Sequence, residues 1–482
     1  MDTPFFPNWR ARLAAFGKRA RSLRAQPLPH IEKLFSPILP AGLLAQAPSG
    51  DNSRQRFYPL RCTFWGFVWQ ALNPGAPCRE AARQIQALFC SAGQASPVDK
   101  EGSAYCTARK RLPLEVLQRA RAAAADHAEK LLPQDQQVWR GWRPKVVDGT
   151  TLSLADTPAN QQPYPQSHSQ KPGCGFPLLK LTGLFSLASG ALLGYAKGNK
   201  HMAELPLLFR LRKLFESGDL LLGDRGFCSY VLMALLEMMG VACLLRLHQA
   251  RPHDLRGGIR LGRNDRLVVW HKPQQKPRYL PKSLWRRVPE ELIVRVLRVR
   301  AHIPGFRTKT VTLVTTLSDA QAYPADELAA LYLRRWRIEL WWRHLKISLG
   351  MEVLRCKSPA MIHKELEMYL IAYNFIRCLM AEAAALHGQP MEQLSFKGSV
   401  DAVRQYSPLI AQARSGQKQR RLIEDLLRLL ALDLVPERPG RREPRAVKRR
   451  PKPYQWLTKP RRSFREISHR NDYRKAAGKE SR

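Results

Sequence analysis

The chain has 482 residues, 44% of them hydrophobic, which is enough apolar material for several packed units. It carries 80 Lys and Arg against 39 Asp and Glu, and this net charge of +41 favours a polyanionic partner because each neutralised phosphate releases counterions. A ribosomal or membrane-surface protein would be equally basic, so charge alone names no enzyme.

Other features argue against membrane, secreted and zinc-binding proteins. No stretch approaches the roughly 18 uninterrupted apolar residues of a membrane span. The N-terminal sequence MDTPFFPNWRARLAAFGKRARS lacks the apolar segment of a signal peptide. The nine cysteines include no CxxC pair, which disfavours a zinc site or a disulfide framework. We therefore expect a reduced cytoplasmic protein without membrane attachment.

Residues 1–136 are predicted to form a helical N-terminal region. Helices at 62–72 and 79–90 are separated by a Pro/Gly turn, and Ser103 is expected to cap a basic helix that carries Arg109, Lys110 and Arg111. This order suits a DNA-binding helix-turn-helix module, and equally a plain helical packing domain. Both interpretations stay open here.

From residue 137 the pattern predicts a mixed α/β sheet. The predicted elements are a strand at 146–148, a hairpin at 178–186 and 191–197, a helix at 203–215, a strand at 220–224, a helix at 230–239, a strand at 241–247 and a returning strand at 311–317. A β-rich insertion is expected at 251–304, between the last two strands. Pattern alone permits this fold without requiring it.

The C-terminal part divides into two predicted regions. Residues 381–435 are expected to be helical. Residues 436–482 are too rich in Pro and in charge of one sign to pack, so we interpret them as a disordered basic arm that binds phosphates without sequence preference.

Two aspartates each end a short apolar run and precede a glycine. Asp148 lies in KVVDGTT and Asp224 in LLLGDRGF. We expect each at the end of a buried strand, where an α/β sheet presents polar groups. Glu204, on the helix before Asp224, is a candidate fourth acid, although a solvated position is favoured. His201 is interpreted as a surface histidine.

The segment 331–350, LYLRRWRIELWWRHLKISLG, is predicted to continue a single helix that begins near residue 325. At about 100° per residue, Tyr332, Arg335, Glu339 and Lys346 fall within roughly 60° of one face. Taken alone, such a face is most often a solvated one with an i,i+4 ion pair. Together with the two aspartates, Glu339 completes a three-carboxylate site suited to Mg²⁺ or Mn²⁺.

These motifs resemble those of the DDE transposases of bacterial insertion sequences, in the group called the IS-four family. That group is marked by Tyr, two residues, Arg, three residues, Glu, six residues and Lys, and Tyr332, Arg335, Glu339 and Lys346 match all four positions. DGT at Asp148 and DRGF at Asp224 are similar to its other acidic motifs, and AYNFIR at 372–377 is similar to a downstream segment. The resemblance covers residues 145 to about 377.

The resemblance implies an RNase H-like catalytic domain over 137–250 and 305–380. It implies a transposase that cleaves DNA at transposon ends and transfers the strands into target DNA. Asp148, Asp224 and Glu339 would hold two Mg²⁺ or Mn²⁺ ions, and the residues that would hold the DNA phosphates are Tyr332, Arg335, Lys346 and, more weakly, Arg225. The implied partners are double-stranded DNA, as terminal inverted repeats and target, and a second copy in a homodimer. The implied location is the bacterial nucleoid.

Two alternatives and one departure accompany this interpretation. A metal-dependent nuclease without strand transfer would carry the same cutting residues, and an inactive DNA-binding relative is the other alternative. In some relatives a Trp on the returning strand stacks on a flipped base, but residues 308–316 contain none. Trp270 is a possible substitute, although a Trp alternating with Val more often packs in a sheet. The base-flipping step, and with it a hairpin intermediate, is therefore left open.

Overall fold

The computed structural model describes residues 29–45, 57–91, 99, 101–171, 173–249, 251, 257–300, 310–436 and 463. Apart from residues 436 and 463, the predicted basic arm lies outside the described residues. The helices are α1 (Pro29–Phe35), α2 (Leu60–Leu72), α3 (Cys78–Ser91), α4 (Ser103–Arg111), α5 (Leu114–Lys130), α6 (Gln134–Gln137), α7 (Pro158–Gln161), α8 (Glu204–Arg210), α9 (Tyr230–Glu237), α10 (Lys282–Arg287), α11 (Ala325–Arg334), α12 (Arg337–Arg343), α13 (Pro359–His387), α14 (Phe396–Gln412) and α15 (Gly416–Leu432). The strands are β1 (Arg143–Leu154), β2 (Leu178–Ser186), β3 (Leu192–Asn199), β4 (Asp219–Gly223), β5 (Ala242–Arg246), β6 (Ile259–Gly262), β7 (Asp265–His271), β8 (Glu291–Arg300), β9 (Thr310–Thr315) and β10 (Val353–Leu354).

The strands form one mixed sheet in the order β3-β2-β1-β4-β5-β9-β8-β7-β6, with β10 beside β1. Strands β1, β2 and β3 are antiparallel neighbours, whereas β4 is parallel to β1 and β5 is parallel to β4. Three antiparallel strands followed by two parallel ones are the RNase H-like arrangement. The predicted α/β fold class is therefore confirmed.

The predicted β-rich insertion is not set apart from this sheet. In its described part, β6, β7 and β8 are consecutive antiparallel strands, and β8 pairs with the returning strand β9. The insertion therefore widens the catalytic sheet at the side away from β3. The proposed division into domains stays a prediction.

Helix α13 is the central helix of the fold. It has 29 residues, and its apolar middle is buried between the N-terminal helices and the sheet. Among the described residues it is the one helix that is long and apolar enough to cross a membrane, but 83% of its most apolar window is buried inside the protein. This burial is that of a core helix, which packs on all sides.

The AYNFIR segment of α13 anchors the turn between β2 and β3. The Tyr373 hydroxyl donates to the Gly190 carbonyl at 2.7 Å, and Arg377 Nε donates to the Ser189 carbonyl at 2.8 Å. The Asn374 amide accepts from the Leu192 N–H and donates to its carbonyl, at 2.9 and 3.1 Å. These contacts satisfy buried backbone groups that the hairpin leaves unpaired.

The N-terminal helices occur where the sequence predicts them, but one detail is wrong. Gly102, with a φ of 73°, precedes α4, and Ser103 is the first helical residue instead of the cap. Arg109 lies on this helix as predicted and is buried, with its guanidinium 3.7 Å from the ring centre of Phe67. Lys110 is exposed. Both interpretations of this region, DNA-binding and packing, remain open.

Candidate active site

The parallel pairing of β1 and β4 brings the two motif aspartates side by side. Val146 of β1 lies opposite Leu222 of β4, and continuing this register by two residues puts Asp148 level with Asp224. Asp224 directly follows the last residue of β4, as predicted. Asp148 does not end its strand, because β1 continues to Leu154 and pairs with β2 on both sides of it.

The two aspartates are half-buried and differ in their partners. One carboxylate oxygen of Asp224 accepts a hydrogen bond from the Gly226 N–H at 2.8 Å and so caps the short turn that follows β4. Burial raises the pKa of Asp148 to about 7. The Gly149 N–H and Arg335 oppose this increase, and the negative charges of Asp224 and Glu204 add to it.

Glu204 lies against both acidic motifs. A Cβ placed on Gly149 would be 2.2 Å from one oxygen of this carboxylate, and a Cβ on Gly226 would be 3.3 Å from the other. Burial, together with Asp224, raises the pKa of Glu204. The favoured solvated position is therefore wrong. The signal in the sequence was Gly149, since Glu204 fits only where β1 has no side chain.

Arg335 and Tyr332 are buried beside the aspartates. Only 6% of Arg335 and 3% of Tyr332 is exposed, and the guanidinium carbon is 5.7 Å from the tyrosine ring centre. Burial raises the pKa of the Tyr332 hydroxyl, and the negative charge of Asp224 adds to this increase. The positive charges of Arg335 and Arg246 oppose it. Arg335 Nε is buried without a hydrogen-bond partner among the described residues.

The segment predicted as one helix is broken twice. Helix α11 ends at Arg334 and α12 begins at Arg337, because the N–H groups of Arg335, Trp336, Ile338 and Glu339 bond three residues back instead of four. The residues from His344 to Ser348 then form a π-helical turn. An ideal 100° step therefore does not describe the relative positions of the four motif residues.

Because of these breaks, Glu339 and Lys346 do not lie on one continuous helical face. Glu339 is exposed in the first turn of α12, where it lines a cavity of about 500 Å³ with Arg334 and Arg337. Lys346 Nζ donates at 3.4 Å to the carbonyl of Thr151, three residues beyond Asp148 on β1. The lysine is thus held at the same strand as the first aspartate.

The sequence of the chain is similar to known transposases. A family model described as "Transposase DDE domain" matches residues 143–375. The chain is 29% identical over 455 residues to the "Transposase InsG for insertion sequence element IS4" of Escherichia coli (strain K12), covering 92% of this chain and 97% of that protein. The chain is therefore similar to DDE transposases of the IS4 family along most of its length.

The chain also matches solved structures. One of them is titled "Cryo-EM structure of piggyBac transposase synaptic complex with hairpin DNA (SNHP)". The match has 9% sequence identity and a TM-score of 0.41, and it covers 85% of this chain and 83% of the other.

The carboxylates of the candidate site suit a hard divalent cation. An ionised Asp148 is disfavoured by burial and by its acidic neighbours, so a bound dication would relieve this repulsion. Among the residues that the structure describes, no three His, Cys, Asp or Glu side chains form a group that could hold a metal ion. Asp148, Asp224 and Glu204 are near enough to influence one another's charge, but neither Glu204 nor Glu339 forms such a group with the two aspartates.

The structure also shows the surroundings of Arg225 and Trp270, two further residues that the sequence analysis singled out. Arg225 is exposed, and its Nη1 donates at 2.8 Å to the side-chain oxygen of Gln249 beyond the neighbouring strand β5. Trp270 lies in β7, and the guanidinium carbon of Arg251 is 3.9 Å from its ring centre. One face of Trp270 is therefore covered, as expected for a packing residue. His201 is exposed, as predicted.

Proposed function

We propose that the protein is a DDE transposase that cleaves DNA at the ends of its element and transfers the freed 3′ ends into target DNA, with Asp148, Asp224 and Glu339 as its metal-binding carboxylates. One observation carries the proposal: two carboxylates from adjacent parallel strands lie side by side, next to a buried arginine with an unpartnered Nε. The similarity to DDE transposases supports the same chemistry.

The acids have the task of holding cations. Two Mg²⁺ or Mn²⁺ ions bound there would generate the attacking oxygen from water or a 3′ hydroxyl and stabilise the leaving oxygen. Asp148 and Asp224 are the primary ligands, and Glu339 completes the set when DNA is bound. Glu204 supports these ligands from helix α8, since its carboxylate lies against Gly149 of the first acidic motif and Gly226 of the second.

The basic side chains bind and orient the phosphates. The unpartnered Nε of Arg335 makes its guanidinium suited to a bidentate phosphate contact. Lys346 supplies a point charge beside β1, and Tyr332 holds the guanidinium in place. Arg225, which is exposed directly after Asp224, would contact the DNA backbone.

The net charge of +41 supports long DNA as the partner. We infer that this DNA comprises the terminal inverted repeats and the target, and that a homodimer brings two ends together. The protein would then act on the bacterial nucleoid in the cytoplasm.

The proposal is tested with labelled DNA that carries the element's own ends. Glu339→Gln is expected to abolish cleavage with Mg²⁺ or Mn²⁺ and to leave end binding intact. Glu352→Gln, which changes another exposed glutamate of the same region, is the matched control and should stay active. Loss of folding or of end binding in Glu339→Gln would contradict its catalytic assignment. Wild-type nicking without joined products would instead support a nuclease.

A further inference from the structure

A second cavity, of about 540 Å³, lies away from the acidic motifs. Helices α2 and α4 form one side of it, and residues 355–369, around the start of α13, form the other. Three of the nine cysteines of the chain line this cavity: Cys78, Cys106 and Cys356. All three are partly exposed. The cavity therefore gives solutes access to a cluster of thiols.

Cys78 has the surroundings of a thiolate. It is the first residue of α3, and its sulfur accepts from Arg109 Nη1 at 2.7 Å and from Gln70 Nε2 at 3.8 Å. A hydrogen bond from the Cys106 thiol, and then Arg109 and Gln70, lower the pKa of Cys78 to about 5 against the opposing effect of burial. Thiolates near cationic groups are the reactive form of cysteine.

Cys106 is held next to Cys78 as the protonated partner. Its hydrogen bond to Cys78, with burial, raises the pKa of the Cys106 thiol. The start of α3 contacts Gly102, the residue before α4, where an added Cβ would lie 3.1 Å from the Cys78 carbonyl carbon. Cys106 follows one turn later, with its N–H bonded to the Gly102 carbonyl at 2.9 Å. The chain thus brings the two sulfurs together through a close helix contact.

The third cysteine does not turn the cluster into a metal site. The Arg109 guanidinium bonds to Cys78 and, through Nη2 at 3.3 Å, to Cys356. A metal cation between these sulfurs would have to displace a buried positive charge. The described residues also contain no three-ligand group that could hold a metal ion. The arrangement instead resembles an attacking thiolate beside a resolving thiol.

We propose that Cys78 and Cys106 are a redox-active pair that a peroxide oxidises to a disulfide. The Cys78 thiolate attacks the O–O bond and becomes a sulfenic acid, while the peroxide is reduced and leaves as hydroxide or alkoxide. The Cys106 thiol then attacks the sulfenic sulfur, which forms the S–S bond and, with the Cys106 proton, releases water. A cellular dithiol restores both thiols. This inference does not rest on the proposed DNA chemistry.

The first test compares alkylation of Cys78 and Cys90 in the reduced full-length protein. Cys90 lies on the same helix and is exposed, so it is the matched control. Between pH 8 and pH 6 an ordinary thiol with a pKa of about 8.5 should slow about 80-fold towards iodoacetamide, whereas a thiolate like Cys78 should slow less than about twofold. Peptide mass spectrometry measures both rates. Equal slowing of the two cysteines would overturn the proposal.

The second test uses hydrogen peroxide. We expect a Cys78–Cys106 linked peptide that disappears on reduction, in the wild type and equally in Cys90→Ser. In Cys106→Ser the sulfenic acid should persist and react with dimedone at Cys78. Oxidation of Cys90 before Cys78, or failure of the linked peptide to form in the wild type, would contradict the proposal. The wild-type result stands even if Cys106→Ser does not fold.

Discussion

The guanidinium of Arg335 lies 5.7 Å from the ring centre of Tyr332, and both side chains are buried where Asp148 and Asp224 meet. A solvated face would leave both side chains in water. Two of the four signature positions are therefore part of the protein interior. Their burial beside two acids holds the guanidinium in place, which would reduce the entropy lost on the proposed phosphate binding.

Replacing Arg335 by Lys should lower DNA cleavage about a hundredfold, because one ammonium cannot reproduce a fixed two-point contact with a phosphate. The positive charge is retained, so folding should persist. Arg337→Lys is the control, since Arg337 lies two residues after Arg335 in the chain and pairs with Glu392 instead. Single-turnover cleavage rates and circular dichroism would be measured for both. Equal rates in the two variants would remove Arg335 from the site.

Glu204→Gln should weaken Mn²⁺ binding by about 10- to 100-fold, as is typical when a carboxylate that supports metal ligands is neutralised. Its carboxylate lies against both acidic motifs. Titration calorimetry of the DNA-free protein gives the affinity. The control is Glu216→Gln, which changes an exposed glutamate before β4. An unchanged affinity in Glu204→Gln would assign this residue to packing alone.

Asn374→Ala should destabilise the fold by about 2–4 kcal/mol, because it leaves the buried N–H and carbonyl of Leu192 without partners. His387→Ala, at the exposed end of the same helix, should change the free energy of unfolding by less than about 0.5 kcal/mol. Urea unfolding measures both values. A loss in Asn374→Ala as small as that of the control would show that the turn does not depend on α13.

His344 should make the fold sensitive to acid. Burial, with Arg377 and Arg343 nearby, lowers the pKa of this imidazole from 6.5 to about 3, and its ring stacks on Phe396 at 4.5 Å. Between these values the unfolded chain binds a proton that the folded chain does not, so stability is full above pH 6.5 and falls as the pH decreases.

From pH 6.5 to pH 5 this loss amounts to about 2 kcal/mol for His344. His344→Phe keeps a flat ring that can stack on Phe396, so its unfolding free energy should fall less over the same range. Urea unfolding at several pH values gives the difference between wild type and variant. A constant difference would show that His344 is protonated equally in both states.

The sequence predicted the order of strands and helices well but placed Asp148 incorrectly. The apolar pair Val146–Val147 marks the buried part of β1, and Gly149 suggested an end to the strand. β1 continues because β2 pairs with it along its whole length, and such a partner is remote in the chain. A remote partner also explains why the predicted insertion is part of the catalytic sheet, since β8 joins the sheet through its pairing with β9.

Three features of the candidate site could not be read from local patterns. The breaks at Arg335–Trp336 and at His344–Ser348 occur among good helix formers, where tertiary packing outweighs helix propensity. Glu204 reaches the aspartates only because Gly149 leaves space across the sheet. By contrast, the apolar runs before Asp148 and Asp224 are predicted as strands from the sequence, and their parallel pairing in the structure brings the two aspartates level.

The most direct measurement is cleavage and joining of labelled DNA that carries the element's own ends, for the wild type beside Asp224→Ala, with Mg²⁺ or Mn²⁺. Asp156→Ala, an exposed aspartate just beyond β1, serves as the control. We predict metal-dependent nicks and joined products for the wild type and the control, and neither for Asp224→Ala. Nicking and joining that persist in Asp224→Ala would contradict the account.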